Sequence, residues 1–491
     1  METDPKKKGT YFRSNSQSDK FDGNLTLQYN KVLGVHSLNV GVGSNLTEST
    51  EEGDSYTGVG FVNPDMVFIG AAISFEENSS PNGSYDKSRL VGFFFFFFYG
   101  NDNRYFLDLS FRTDGSSKFG RNSRFAPFWS VGVAWNVHKE AFWSGDEKSS
   151  LKLRASVGST GTTNFSSTQA LTTYNYDFSK IYNGVFGVSL AGYGNPELKW
   201  QNTISYNVGV DMTLLKGLVT FNGDFYIKNT ENLLLPLTVA PSTGFSSYVE
   251  NIGKLRNTGI EGRLRLNLIR DTQRDLRWNV TLSAFHNKSK ITKLSNQLEE
   301  INKYANSDWY NQGTVVYRQY EAGRSQTALM MVRSGGIDPA TGNEVYIKRN
   351  GELTFEYDAN DKVKCGDMKP TIEGNVNTNL TWKGFTLYML FKYQFGAKAY
   401  NGTLASKVEG ANPYKNADKR VLYDRWKEPG DHAKFRRIDD RTSPYQTTRL
   451  VFDNDLFSLS SVSLSYELPR DISQKIYADR VRLMLSTTDV F

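Results

Sequence analysis

Residues 204–213, Ile-Ser-Tyr-Asn-Val-Gly-Val-Asp-Met-Thr, run through Leu214-Leu215-Lys216-Gly217-Leu218 into residues 219–228, Val-Thr-Phe-Asn-Gly-Asp-Phe-Tyr-Ile-Lys. Ile204, Tyr206, Val208, Val210 and Met212 take every second position, with polar or small residues between them. Val219, Phe221, Phe225 and Ile227 do the same. This is the period of a strand with one apolar and one polar face. The two runs are joined almost without a loop, as in an antiparallel pair.

The pattern recurs outward in both directions. It is present at Leu107 to Arg112, Leu151 to Val157, Ile260 to Leu268, Trp278 to Ala284, Phe385 to Phe395 and Val462 to Leu468. Residues 20–46 and 127–137 follow it less cleanly. Roughly fourteen strands are expected, many about 9–11 residues long, the length of a tilted membrane strand. Leu380-Thr381-Trp382-Lys383-Gly384-Phe385 is another minimal turn. Other connections are very long: 160–200, 229–257, 289–371 and 396–455. Short turns on one side and long loops on the other belong to a transmembrane barrel. A soluble sandwich also alternates, but its strands are shorter, and no propeller-length repeat is present. The polar face carries Asp108, Arg112, Lys152, Arg154, Asp211, Asp224, Glu261, Arg263 and Arg265. In a barrel this face lines a wet lumen, while in a sandwich it is the solvated exterior. Trp129, Trp135, Trp143, Trp200, Trp278 and Trp382 lie near strand ends, where interfacial aromatic girdles sit. Phe93 to Phe98 are apolar on both faces. Such a run fits a wall packed on an internal plug, or an error in the sequence.

Composition narrows the function. The 491 residues carry a formal charge of +6, too dilute to argue for nucleic acid. One cysteine and four scattered histidines (His36, His138, His286, His432) offer neither a disulfide nor a metal site. No run of about 18 apolar residues is present, so no helix is expected to span a membrane. No nucleophile elbow, Walker A or dinucleotide motif is found, and neither an enzyme nor a cofactor is expected. The carboxylate pairs Asp439-Asp440 and Asp453 with Asp455 read as solvated loop charge, and Cys365 as a lone loop thiol. Short helices are expected at Asp418 to Trp426, stopped by Pro429-Gly430, and at Ser295 to Tyr304. The opening Met1-Glu2-Thr3-Asp4-Pro5-Lys6-Lys7-Lys8 has no apolar run after it. Asp489 and Thr487 fall where a terminal membrane strand wants apolar residues. Residues 1–19 are therefore expected to be a loop start, and 20–491 an incomplete barrel domain.

Several stretches resemble the SusC/RagA family of TonB-linked outer-membrane transporters. They are Arg112 to Gly120 (Arg-Thr-Asp-Gly-Ser-Ser-Lys-Phe-Gly), Gly194-Asn195-Pro196-Glu197-Leu198-Lys199-Trp200 and Asn251 to Glu261. Gly336-Ile337-Asp338-Pro339-Ala340-Thr341-Gly342, Arg425-Trp426 with Pro429-Gly430-Asp431, and Leu459 to Pro469 follow in order. The resemblance implies the barrel part of an all-β, antiparallel transmembrane barrel of about 22 strands. It implies residence in the cell outer membrane, amid outer-membrane lipid, of a Bacteroidetes-like cell. It further implies energised import of oligosaccharide or peptide, a SusD-type lipoprotein lid, and the TonB complex acting on a plug domain absent from these residues. The motif residues themselves read as architectural. A passive porin or a β-rich surface-binding protein is the alternative. Of the loop rings, Tyr304, Trp309 and Tyr310 are the candidates for contact with ligand.

Overall fold

The structure is a computed structural model. It describes residues 9–490 apart from 62, 64, 66–67, 77–80, 147, 163–169, 239–246, 252, 295–301, 303–305, 307–310, 313–318, 413 and 441. Fourteen strands follow one another in an antiparallel meander: β1 Thr10–Leu33, β2 His36–Val59, β3 Asn82–Asn101, β4 Tyr105–Ser116, β5 Phe125–Asn136, β6 Ser150–Thr162 and β7 Gln201–Leu214. β8 Val219–Glu231, β9 Lys254–Asp271, β10 Leu276–Lys293, β11 Ile372–Trp382, β12 Phe385–Phe395, β13 Leu456–Glu467 and β14 Arg482–Thr488 continue it. A two-residue strand, Ser74–Phe75, pairs with β2 and completes a fifteen-stranded sheet. Every long strand pairs with its sequence neighbours. β1 and β14 are the ends of the path and do not pair with each other.

The connections sort by side. At one end five of the connections are two to four residues long, as between β11 and β12, where Lys383 (φ 46°) and Gly384 (φ 84°) fill a two-residue hairpin, and the other two, 137–149 and 468–481, are longer. Two central residues with positive φ match the right-handed twist of the flanking strands. At the other end lie 60–81, 163–200, 232–253, 294–371 and 396–455, which hold all the small accessory sheets. Arg420–Tyr423 forms a short helix inside the expected segment 418–426. The expected helix over Ser295 to Tyr304 lies outside the described residues apart from Asn302.

Register fixes the faces, because residues directly paired across an antiparallel ladder share one face. Val208 pairs with Phe225, and Phe225 with Ile260, forming part of the apolar face. Asp211 pairs with Asn222, and Asn222 with Arg263, on the opposite face. All nine charged residues named above fall on this polar face.

Four expectations need correction. The first strand begins at Thr10, not near residue 20, because Thr10 to Asp19 find partners in Thr50 to Val59. Residues 20–33, 36–46 and 127–136 are strand despite their weak alternation, since β1 pairs along its length with β2, and β2 and β5 are paired on both sides. Several strands exceed 9–11 residues: β1 and β2 have 24 each, so they extend past a bilayer's thickness. Trp200 is no interfacial ring. It is 7% exposed, stacked on Phe119 at 4.3 Å and edge-on to Phe128 at 5.4 Å. Trp135, Trp278 and Trp382 do lie at the short-turn end, on the apolar face. Trp129 lies within β5.

Phe93 to Phe98 form ordinary β3 residues. Phe93, Phe95 and Phe97 join the apolar face, Phe95 opposite Phe111 and Phe97 opposite Leu109. Phe94 and Phe96 face the polar side, where their register partners on β2 are Gly43 and Gly41. A Cβ at Gly43 would sit 2.5 Å from Cζ of Phe94, and one at Gly41 would overlap Phe96. The two glycines thus vacate the space the rings occupy.

Phe225 sits halfway along β8 on the apolar face. Phe225→Arg is expected to cost about 2–4 kcal/mol in a bilayer. Urea unfolding in vesicles measures it, and an unchanged midpoint would show that this face does not meet lipid.

Candidate functional site

The polar wall is neutralised in places by the chain itself, and glycines make that possible. Arg154 on β6, Gly209 on β7 and Asp224 on β8 lie in one register row. The Arg154 guanidinium donates from Nε to Oδ2 of Asp211 at 2.8 Å, and from Nη2 to Oδ1 of Asp211 and Oδ2 of Asp224, each at 3.1 Å. Asn222 and Asn207 donate to the same carboxylates, both at 2.8 Å. A Cβ at Gly209 would lie 2.5 Å from Asp224 Oδ1 and 2.7 Å from Arg154 Cζ. Its absence lets the ionic cluster lie flat across three strands. Gly92 plays the same part for Arg112, which donates to Asp114 and, at 2.7 Å, to Asn45.

Next to this cluster the balance changes. A cavity of about 620 Å³ on the same face is lined by Glu261, Arg263, Phe285, Glu373, Asn375 and Lys392, among others. Arg263 faces Ser283 across the ladder, and Glu373 faces Phe285 and Gln394. Among the described residues Glu261, Arg263, Glu373 and Lys392 form no ion pair. Carboxylates and cations therefore face the open space unspent, where a zwitterionic or polar ligand would meet both. Sequence reading named Asp224, Glu261 and Arg263 but not Glu373, Asn375 or Lys392. Their alternation with Ile372, Val376, Met389 and Phe391 was the available signal.

The long-loop end has its own core. Ala405, Val408, Phe435 and Leu450 pack together with Tyr400 and Leu404 against them. Beside them Glu409 accepts from Arg436 at 2.9 Å and from Arg449 at 2.8 Å, and Arg449 also reaches Glu344 at 2.9 Å. Thr447 donates to Glu344 at 2.7 Å. The side chains of Glu409 and Glu344 are essentially inaccessible. Burial alone would push Glu409 up, but the Arg449 and Arg436 guanidiniums outweigh it and hold the carboxyl below its ordinary range. Burial works against the charged Arg449 too, and Glu344 with Glu409 raises it above an ordinary guanidinium. Above this network Tyr357 stacks on Tyr445 at 4.0 Å, with Tyr346 edge-on.

The scattered sequence motifs meet here. Trp426 donates its indole N–H to the Pro339 carbonyl at 2.9 Å, and Gly430 N–H reaches the same oxygen at 2.8 Å. Gly342 (φ 73°) lies under the Trp426 ring, where a Cβ would be 2.5 Å from Cδ2. Asp431 accepts from the N–H groups of Lys427 and Glu428. In the same manner Phe119 of the first motif stacks on Trp200 of the second, a Cβ at Gly120 would overlap the Pro196 carbonyl, and Asn251 of the third bonds both backbone groups of Lys199. Asp439 and Asp440 pair with Arg437 and Arg436, Asp453 with Lys398, and Asp455 accepts from Gly396 N–H. Cys365 donates to the Leu329 carbonyl. Tyr304, Trp309 and Tyr310 lie outside the described residues.

A family model described as TonB dependent receptor-like, beta-barrel matches residues 3–404. TonB-dependent receptor P3 of Formosa agariphila is 28% identical over 485 residues, covering 94% of this chain and 46% of the relative. TonB-dependent receptor SusC of Bacteroides thetaiotaomicron is 24% identical, covering 87% and 44%. The solved RagAB peptide transporter shares the fold with a TM-score of 0.84 at 22% identity, over 98% of this chain and 52% of that one. The chain spans about half the length of these relatives.

Two outcomes test the geometry. Gly209→Val should destabilise the sheet by expelling Arg154, so its cost should shrink when Arg154→Ala is combined with it; additive costs in the double-mutant cycle would refute the clash. Glu409, whose pKa is lowered on folding, contributes stability fully above the ordinary carboxylate range and loses it as pH falls below about 4. Limited proteolysis of the loop end should therefore accelerate in acid. Glu409→Ala should accelerate it already at neutral pH, at a cost of about 3 kcal/mol, because two buried guanidiniums each lose one of their two carboxylate partners.

Proposed function

The chain belongs to the TonB dependent receptor-like β-barrel family and is an outer-membrane protein, and on that premise we propose that it supplies the barrel wall of an energised nutrient importer. The imported class is oligosaccharide or peptide. A SusD-type lipoprotein covers the long-loop end, and the TonB complex drives entry from the periplasm through a plug domain. The observation that carries this reading is the concentration of four unpaired charges, Glu261, Arg263, Glu373 and Lys392, around one 620 Å³ cavity, directly beside a cluster where Arg154 is spent on Asp211 and Asp224. A wall built only for mechanical stability gains nothing from Glu261, Arg263, Glu373 and Lys392 left without partners, whereas a ligand path uses them for recognition. Long loops extracellular and short turns periplasmic is the ordinary arrangement of such barrels. It places the cavity below the loop mouth. Tyr304, Trp309 and Tyr310 belong to the 294–371 connection and are proposed as the rings that stack on ligand at that mouth. The likeness to the RagAB peptide transporter and to the TonB-dependent receptor SusC supports the transporter class.

Uptake of labelled oligosaccharides and peptides by whole cells tests the proposal. Uptake should vanish when TonB is deleted, and Trp309→Ala should raise the concentration needed for half-maximal uptake. Glu261→Lys combined with Glu373→Lys should change which ligands enter. Uptake that continues without TonB would make the protein a passive pore.

A further inference from the structure

We propose that the outward, apolar face of β8, β9 and β10 is a seat for a phosphorylated, anionic lipid of the outer leaflet. Halfway up this face Gly223, Gly262, Ala284 and Gly374 stand in one register row, with the Phe221 ring lying over Gly223, the Tyr393 hydroxyl over Gly374, and the space above Gly262 open. They leave a groove of about 500 Å³ walled by Val208, Phe221, Phe225, Ile260 and Ile372. A Cβ at Gly262 would still be 3.6 Å from the Phe221 ring. The groove opens where only hydrocarbon is available to fill it, so an acyl chain is its natural occupant.

The rows above it give that lipid a charge. The row Phe225, Ile260, His286 comes first, then Ile227, Thr258, Lys288, then Asn229, Arg256, Lys290. Lys288, Lys290 and Arg256 are exposed. Arg256 donates to Asn229 Oδ1 at 2.8 Å, and no carboxylate pairs with any of the three among the described residues. Glu231, the acid further up this face of β8, is already held by Lys254 at 2.5 Å. Arg256 stands directly opposite Lys290, and like charges so placed repel across a ladder. An anion between them removes that cost.

The heights agree. Four and six residues along a strand tilted by about 40° raise Lys288 and Lys290 by about 10 and 15 Å above the Ala284 row. The apolar band of an outer-membrane barrel is about 25 Å tall, so its upper border lies about 12 Å above mid-height. The cations therefore bracket the headgroup border while the groove lies near the middle of the band. Bare acyl chains need only the groove, and a soluble anion needs only the cations. A phosphorylated lipid uses both.

The test uses the protein purified from outer membranes and placed in phosphatidylcholine nanodiscs with trace spin-labelled phosphatidic acid or phosphatidylcholine. Phosphatidic acid should be selectively immobilised. Arg256→Ser with Lys288→Ser and Lys290→Ser should reduce that selectivity by about a hundredfold, at about fivefold per cation. Lys288→Arg with Lys290→Arg should retain it, which separates charge from misfolding, and heat-modifiable migration checks that each variant is folded. Gly262→Leu should weaken immobilisation by filling the groove. Equal immobilisation of both probes, an unaffected triple serine variant, or displacement by inorganic phosphate alone would each overturn the proposal.

Discussion

Hydrocarbon offers no partner to a backbone N–H or C=O, and each group left unpaired there costs several kcal/mol. An antiparallel meander meets that demand for its inner twelve strands, each of which pairs with both neighbours. The rest of the architecture follows from it. Pairing forces side chains into a period of two, the period divides every strand between lipid and lumen, and five of the turns at one end shrink to two to four residues. Little hydrophobic core remains between the faces of a single sheet. What core there is lies at the long-loop end, around Phe119, Phe128 and Trp200 and around Val408, Phe435 and Leu450.

The same constraint explains what could be read from residues alone. Alternation at 204–213, 219–228 and 385–395 reports the ladder directly, so the fold class and the sides of the sheet were legible. Ends of strands were not: Thr10 to Asp19 alternate poorly and become strand only because β2 extends beside them. Six consecutive phenylalanines looked anomalous because their meaning lies in another strand, in Gly41 and Gly43. Trp200 reads as an interfacial ring by position, but its partners Phe119 and Phe128 are about 70–80 residues away and only the folded loops reveal them. The motif stretches were legible as architecture, since Pro, Gly and Asn in fixed order are turn chemistry. Their meeting at the Pro339 carbonyl was not.

Register also turns a list of charges into an account of which ones are spent. By sequence, Arg154, Asp211, Asp224, Glu261 and Arg263 are equivalent members of a polar face. Across the ladder they separate. Gly209 lets Arg154 close on Asp211 and Asp224, so three of the five are held together flat against the wall, one cation shared by two carboxylates. Glu261 and Arg263 lie one strand further and find no such pocket. A single missing Cβ thus decides where the wall is mute and where it presents charge. At the loop end the solution differs again: Glu409 and Glu344 are removed from water altogether and must be matched by Arg436 and Arg449 in full.

These treatments of charge correspond to different mechanical duties. A buried network such as Glu409 with Arg436 and Arg449 is strongly destabilised by loss of either partner, so it fixes the loops in one arrangement. The flat clusters around Gly209 and Gly92 are partly wet, individually weak, and keep guanidiniums from protruding into the lumen. The unpaired groups at the cavity, Glu261, Arg263, Glu373 and Lys392, have no ion-pair partner to fix them among the described residues and keep their hydration. Asp224 belongs both to the flat cluster and to the cavity lining and stands directly opposite Glu261, so spent and unspent charge meet within one register row.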